Sequence, residues 1–247
     1  MQAVILAAGR GSRVAGLTAE KPKCLIEFCG KSLLDWQLEA LRGAGIKKIA
    51  LVTGYLSEKL DRVDLVKFHN SDWSRTNMVC SLMCAKTWVE QEETIVSYAD
   101  IIYPPSTVQM IISSRGDIGI PYNTRWKEIW EARFSDPLAD AETFKFTKNN
   151  FLEEIGNHPK TLEEVMGQYM GLLKFSPGGW KKVFRVLSEF PPEKTRKMDM
   201  TTLLRACLQA GIPIFVFPIE GKWYEVDSEE DLKSYQKLVE KNHGKPW

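Results

Sequence analysis

The apolar run Ala3–Leu6 opens at once into Ala7-Ala8-Gly9-Arg10-Gly11-Ser12-Arg13, and no other stretch restricts the fold as tightly. Apolar residues ending at a glycine turn predict a buried strand with the turn at its carboxyl end. Glycines let the backbone approach a bulky anion, and the amides of such a turn point at phosphate oxygens. Arg13 adds a fork of charged donors, and Lys23 of Lys21-Pro22-Lys23 adds a compact positive charge. No Gly-Lys-Ser/Thr closes the turn and the Gly-x-Gly-x-x-Gly spacing is missing, so it is neither a Walker loop nor a dinucleotide fingerprint. The bland alternative is a strand followed by an ordinary glycine-rich turn, and the joint presence of both motifs weighs against it.

Downstream, short apolar runs alternate with helix-period segments: Leu33–Ala44 as helix, Lys48–Thr53 and Leu65–His69 as strands, Met78–Val89 as helix, then strand Thr94–Tyr98. Pro104-Pro105 opens another helix and Ile118–Tyr122 another strand. This alternation predicts an α/β chain, a single Rossmann-like domain over 1–247 with a mixed, mainly parallel sheet flanked by helices. From about Tyr122 to Phe175 the pattern breaks into a charged segment, expected to be an insertion covering one end of the sheet and carrying a strand at Thr143–Thr147. Strands at Tyr169–Phe175, Ile214–Phe217 and Trp223–Val226 are expected to complete the sheet, with helices at Gly178–Glu189, Met200–Ala210 and Ser228–Lys241. Pro191–Lys197 reads as a polar loop. Ligands of such sheets bind beyond the carboxyl ends of strands, which directs attention to the residues after Leu6, Val52 and Tyr98.

Thirty-three basic residues against thirty-two acidic ones leave a net charge of +1, so no overall field favours nucleic acid or a membrane surface. The first apolar run is too short for a signal-peptide core or a span, which predicts a cytoplasmic protein. Five cysteines without CxxC spacing argue against disulfides or zinc, and Cys80 and Cys84, four apart, read as small buried hydrophobes.

Two aspartates stand where a metal is expected. Asp100 follows the strand Thr94–Tyr98, and Asp227 follows Trp223–Val226. Mg²⁺ takes one or two carboxylates with phosphate oxygens and water. For each alone, a strand-end turn is the simpler role, and Asp227-Ser228 also suits the start of the last helix.

With these residues in view, the chain resembles the nucleotidyltransferases that join a nucleoside triphosphate to a phosphorylated small molecule, the sugar-1-phosphate and phosphocholine type. The resemblance implies that Leu6, Ala7, Ala8, Gly9, Gly11, Ser12, Arg13 and Lys23 contact the nucleotide, with Lys23 and Arg13 as the electrostatic catalysts and Mg²⁺ on Asp100 and Asp227. Asn77-Met78-Val79-Cys80-Ser81-Leu82 resembles a segment that lies beside cytidine in small-molecule cytidylyltransferases, which implicates Asn77 and Ser81; Asn77 is equally a good helix cap. Further segments, Ser97–Tyr103, Trp126 to Trp130, Arg133-Phe134, Asp136–Thr143, Gln168–Gly171, Met200-Thr201 and Trp223–Asp227, resemble the cytidylyltransferases of capsule phosphoramidate and phosphonate synthesis.

The implied partners are CTP and a small phosphorylated or phosphonate acceptor of the L-glutamine phosphate, aminoethylphosphonate or phosphocholine type. Candidate acceptor contacts are Tyr122, Asn123, Trp126, Arg133, Asp136, Glu142, Tyr169 and Thr201, with Asp140 and Lys145 also considered. Tyr122-Asn123 departs from the Val-Asp that the resemblance expects there. The four-residue spacing of Trp126 and Trp130 favours a core stripe, although a homodimer interface has the same pattern. The alternatives are a sugar-1-phosphate nucleotidyltransferase using UTP, dTTP or GTP, and a non-catalytic nucleotide-sugar sensor. Retention of Lys23, Asp100 and Asp227 speaks against the sensor.

Overall fold

Every residue of the strand Gln2–Ala7 is buried, which puts it inside the sheet with neighbours on both edges. It pairs in parallel with Ile49–Thr53 on one side and Thr94–Tyr98 on the other. Its side chains alternate between faces, Val4 and Leu6 entering one apolar core and Ala3, Ile5 and Ala7 the other. The computed structural model from which these contacts are read describes residues 1–14, 16–133, 136–241 and 246–247, the side chains of 132, 133 and 241 excepted.

The sheet continues outward from Ile49–Thr53 to Val66–His69 in parallel. On its other side, Thr94–Tyr98 pairs with Leu172–Phe175, which runs antiparallel to both its neighbours. Ile118–Asn123 comes next, and Phe215–Ile219 pairs with it in parallel. The mixed, mainly parallel sheet predicted by the alternation is thus the observed one. Helices Leu33–Gly43 and Pro105–Ser113 cover one face; Met78–Cys84, Pro177–Ser188 and Met200–Gln209 cover the other.

Several elements differ from expectation. Trp223–Val226 does not complete the main sheet: its strand, Tyr224–Glu225, pairs antiparallel with Ile101–Ile102 in a separate ribbon. The chain leaves the sheet at Asp100, and Ile101–Ile102 offers a fresh edge whose start is tied by Val226 N–H to the Asp100 carbonyl at 2.9 Å. Tyr169–Phe175 is broken into Gln168–Tyr169 and Leu172–Phe175 because Gly171 has φ +70°. A Cβ at Gly171 would meet the Tyr98 ring at 2.8 Å, so only glycine lets the strand pass this aromatic side chain. The predicted helix Met78–Val89 divides at Ala85. Pro191–Lys197 is not a loop: Pro192 starts a short helix, Pro192–Lys197, where its preset φ suits the first turn.

The segment 122–175 supplies sheet strands as well as cover. Phe144–Phe146 pairs with Leu152–Ile155 in a hairpin whose Phe144, Leu152 and Ile155 share a core with Leu203 and Leu204. Trp126 and Trp130 are buried, and Trp130 stacks on Trp223 with centroids 5.9 Å apart, so this tryptophan face belongs to the chain's own core. All five cysteines are free; Cys24 and Cys207 are buried, while Cys80 and Cys84 are only partly so, which corrects their reading as buried hydrophobes. Among the described residues no helix is long and apolar enough to cross a membrane.

Trp180 is fully buried and packs edge-on against Phe175, locking Pro177–Ser188 to the sheet. Trp180→Ala is expected to lower unfolding free energy by about 3–5 kcal/mol, read from urea denaturation followed by circular dichroism.

Candidate active site

The loops leaving Gln2–Ala7 and Thr94–Tyr98 line a cleft of about 260 Å³. Leu6, Ala7, Ala8, Gly9, Gly11, Ser12, Arg13, Lys23, Asn77, Ser81 and Asp100 all face it, so the residues assigned to the nucleotide from sequence are brought together in space. Ala8 is held because its carbonyl accepts the Tyr55 N–H at 2.9 Å. Gly11 has φ +73°, and a Cβ there would stand 2.9 Å from the Lys23 side chain, so this turn can pass over the lysine only as glycine. Trp73 and Thr76, which no sequence motif singled out, also line the cleft. Trp73 stands edge-on to Tyr55, over whose ring the Arg10 guanidinium lies at 5.5 Å.

Asn77 is the cap of Met78–Cys84, its Oδ1 accepting from Met78 N–H, and its backbone N–H donates to Arg196 O at 2.8 Å. The capping role is therefore observed, with the residue still at the cleft wall.

Lys23 Nζ lies 2.7 Å from Asp100 Oδ2 and 2.9 Å from Asp227 Oδ1. Arg13 Nη2 reaches the same Asp227 oxygen at 3.0 Å from a largely exposed position. Burial by itself would lower the pKa of the Lys23 ammonium, but Asp100 and Asp227 outweigh that and hold it above the ordinary lysine value. The Tyr224–Glu225 ribbon sets Asp227 beside Asp100, and the cap of the last helix falls to its neighbours. Asp231 accepts from the N–H groups of Asp227 and Ser228 at 3.0 and 2.8 Å, and Ser228 Oγ accepts from Asp231 N–H. Asp100 Oδ1 is buried and has no hydrogen-bond partner. Among the described residues no group of three or more His, Cys, Asp or Glu is placed to hold a metal.

A second pocket of about 300 Å³ adjoins the cleft, sharing Arg13, Met78 and Tyr98 as walls. Of the proposed acceptor contacts, Glu142, Tyr169 and Thr201 line it, as does Asp140. Asp199, Glu225, Gln168 and Tyr98 join them without having been singled out as contacts. Burial, with Asp199 next to it, raises the Glu142 carboxyl above the ordinary range. Burial likewise pushes the Tyr98 and Tyr169 hydroxyls well up. Gln168 Oε1 is buried without a hydrogen-bond partner.

The remaining acceptor candidates are elsewhere. Tyr122 packs on Phe144 and Phe146. Asn123 is fully buried and shapes a turn, its Oδ1 accepting from Arg125 N–H at 2.8 Å and its Nδ2 donating to Gly221 O. Trp126 is a core residue. Asp136 is exposed and caps Pro137–Ala139, and Lys145 is paired with Glu154 and Glu164. The Arg133 side chain and Phe134 lie outside the described residues. Of the two tryptophans, Trp126 is spent on the core, whereas Trp130, also buried, lines the second pocket.

Residues 3–143 match the model of the MobA-like NTP transferase domain. Over 94% of this chain and 98% of its relative, the sequence is 36% identical to the CTP:phosphoglutamine cytidylyltransferase of Campylobacter jejuni. The 2-aminoethylphosphonate cytidylyltransferase of Lancefieldella rimae is 33% identical over 40% of this chain and 43% of that protein. Among solved structures, the inositol-1-phosphate CTP transferase from T. maritima superposes with a TM-score of 0.76 at 22% identity, over 97% of this chain and 96% of that one, a likeness of fold. A glycine turn at the carboxyl end of a central parallel strand, over a lysine held by two aspartates, thus sits in a chain that belongs to the MobA-like NTP transferase family of nucleotidyltransferases.

Proposed function

We propose that this protein is a cytoplasmic cytidylyltransferase that moves the cytidylyl group of CTP to a small acceptor bearing a phosphate or phosphonate and an ammonium group, with release of pyrophosphate. The observation that carries this reading is Lys23, clamped by Asp100 and Asp227 where the two pockets meet. The similarity to enzymes named for CTP and for phosphoglutamine or aminoethylphosphonate supports the choice of substrates. The acceptor pocket supports a cationic group, because Asp140, Glu142, Asp199 and Glu225 line it and the orphaned Gln168 Oε1 calls for an N–H donor.

The reaction joins an acceptor oxygen to the α-phosphorus as the bond from that phosphorus to the pyrophosphate oxygen breaks. The attacking oxygen is already anionic near neutral pH, the second pKa of a phosphate monoester being about 6, so no strong general base is needed. The segment 122–175 covers the acceptor and orients it, while the turn Ala8–Arg13 aligns the triphosphate. Lys23 and Arg13 stabilise the negative charge that accumulates in the transition state.

Asp100 and Asp227 fit Mg²⁺: both are carboxylates at strand ends, and the unpartnered Asp100 Oδ1 is an acceptor that awaits a cation. Bound there, the ion supplies charge neutralisation between anionic substrates.

Lys23→Ala is expected to lower kcat by roughly two to three decades, as for loss of one transition-state donor. Pyrophosphate release checks this, and near-normal turnover would remove Lys23 from the role. The same assay with CTP, UTP, dTTP and GTP, against L-glutamine phosphate, aminoethylphosphonate, phosphocholine and sugar 1-phosphates, is expected to show turnover with CTP and an aminated acceptor. Turnover confined to a sugar 1-phosphate would overturn the reading, and nucleotide binding without turnover would make the protein a sensor.

Glu142 yields a pH test. Its raised carboxyl pKa means that the folded state holds the proton more readily than the unfolded chain. The associated stability is present below the ordinary carboxylate range and is lost as pH rises through the higher folded value. Glu142→Gln is therefore expected to raise Tm at pH 8 and leave it nearly unchanged at pH 4, while increasing KM for an aminated acceptor. An unchanged KM would place the ammonium elsewhere.

A further inference from the structure

Asn70 follows the strand Val66–His69 and is buried beneath the nucleotide cleft, with its backbone N–H tied to Thr53 O at 2.8 Å. Its side-chain oxygen accepts the backbone N–H of Asp72 at 3.1 Å. A backbone amide only donates, so this contact fixes which end of the Asn70 amide is oxygen. The NH₂ end then donates to Thr76 Oγ1 at 3.0 Å and to Ser81 Oγ at 3.1 Å. Each hydroxyl is thereby an acceptor towards Asn70 and keeps one proton to give. Thr76 gives its proton to Asp72 O at 2.9 Å. Ser81, nine-tenths buried and lining the cleft, has no such protein acceptor among the described residues. With Asn70 donating to Ser81 Oγ, the Ser81 proton is left to meet an acceptor in the cleft that the residue lines.

We infer that Asn70 is a positioning residue that holds the Ser81 hydroxyl as a hydrogen-bond donor towards the base, selecting a nucleotide that offers an acceptor there. The inference rests on the reading that the nucleotide is CTP. O2 accepts in both pyrimidines and does not discriminate, whereas N3 is an unprotonated acceptor in cytosine and an N–H in uracil, which opposes the Ser81 donor. Asn70 does not touch the base. It decides which way the serine bond points, as neither residue does alone.

The test is the ratio of kcat/KM for CTP over UTP, from pyrophosphate release, in wild type, Asn70→Asp, Ser81→Ala and the double variant. Asn70→Asp places an oxygen where the amide NH₂ was, so the Ser81 proton turns to it and is withdrawn from the cleft. The ratio is expected to fall about tenfold in each single variant, as for one lost hydrogen bond, mainly through a higher KM for CTP. The double variant is expected to match Ser81→Ala, because Asn70 acts through the serine. An unchanged ratio, equal slowing with both nucleotides, or an additive loss in the double variant would overturn the assignment. Should Asn70→Asp not fold, Ser81→Ala still decides, since an unchanged ratio there removes the donor from base selection. A wild type that uses UTP as well as CTP would overturn the cytidylyl reading itself, a result distinct from a CTP preference that survives these substitutions.

Discussion

The ammonium of Lys23, shared between Asp100 and Asp227, is the contact on which the rest of the site depends. It joins three distant chain segments: the loop after the first strand, the exit from Thr94–Tyr98, and the end of the ribbon before the last helix. Three charges so close together and so little exposed hold only as a set. Removing one partner of a buried ion pair leaves an uncompensated charge and is strongly destabilising, commonly by about 3–5 kcal/mol. Because the two carboxylates keep the lysine charged and in place in the free protein, its position is set before any substrate arrives, the preorganisation that electrostatic catalysis requires.

That cluster also divides the surface by charge. The glycine turn lines the cleft, Arg13 stands on the wall common to both pockets, and Asp140, Glu142, Asp199 and Glu225 line the second pocket alone. Polar packing beneath the site keeps its geometry. Gln37 donates to the Ile101 carbonyl at 2.7 Å and accepts from Ser97, which in turn accepts from Tyr103. This buried, satisfied network pins the point where the chain leaves the sheet next to Asp100.

The nucleotide side was legible because its residues are contiguous and have a local physical reason. A glycine at positive φ, an apolar strand and a nearby lysine act over a few residues, and all appear in order between Ala3 and Lys23. Asn77 and Ser81 were singled out by resemblance, and the structure puts both in the cleft wall, Asn77 as the cap of Met78–Cys84 and Ser81 within that helix. The acceptor side was legible only in part. Glu142, Tyr169 and Thr201 line the pocket, but Asn123, Trp126 and Tyr122 are spent on a turn and on the core. Spacing along a helix or strand shows which side chains share a face, not whether that face looks towards a ligand or a neighbouring layer.

The sequence by itself determined the alternation that builds the mainly parallel sheet, the glycine turn at its central strand and the identity of the charged groups, since each follows from short-range periodicity or backbone sterics. Only the tertiary structure decided that Asp227 stands beside Asp100. A strand at Trp223–Val226 was legible but its partner was not, and only the pairing of Tyr224–Glu225 with Ile101–Ile102, outside the main sheet, makes the two aspartates neighbours. The same holds for Asn70 and Ser81: which atoms donate and which accept is set by a backbone amide two residues further on and by a helix that folds back over it, contacts that exist only once the chain has packed.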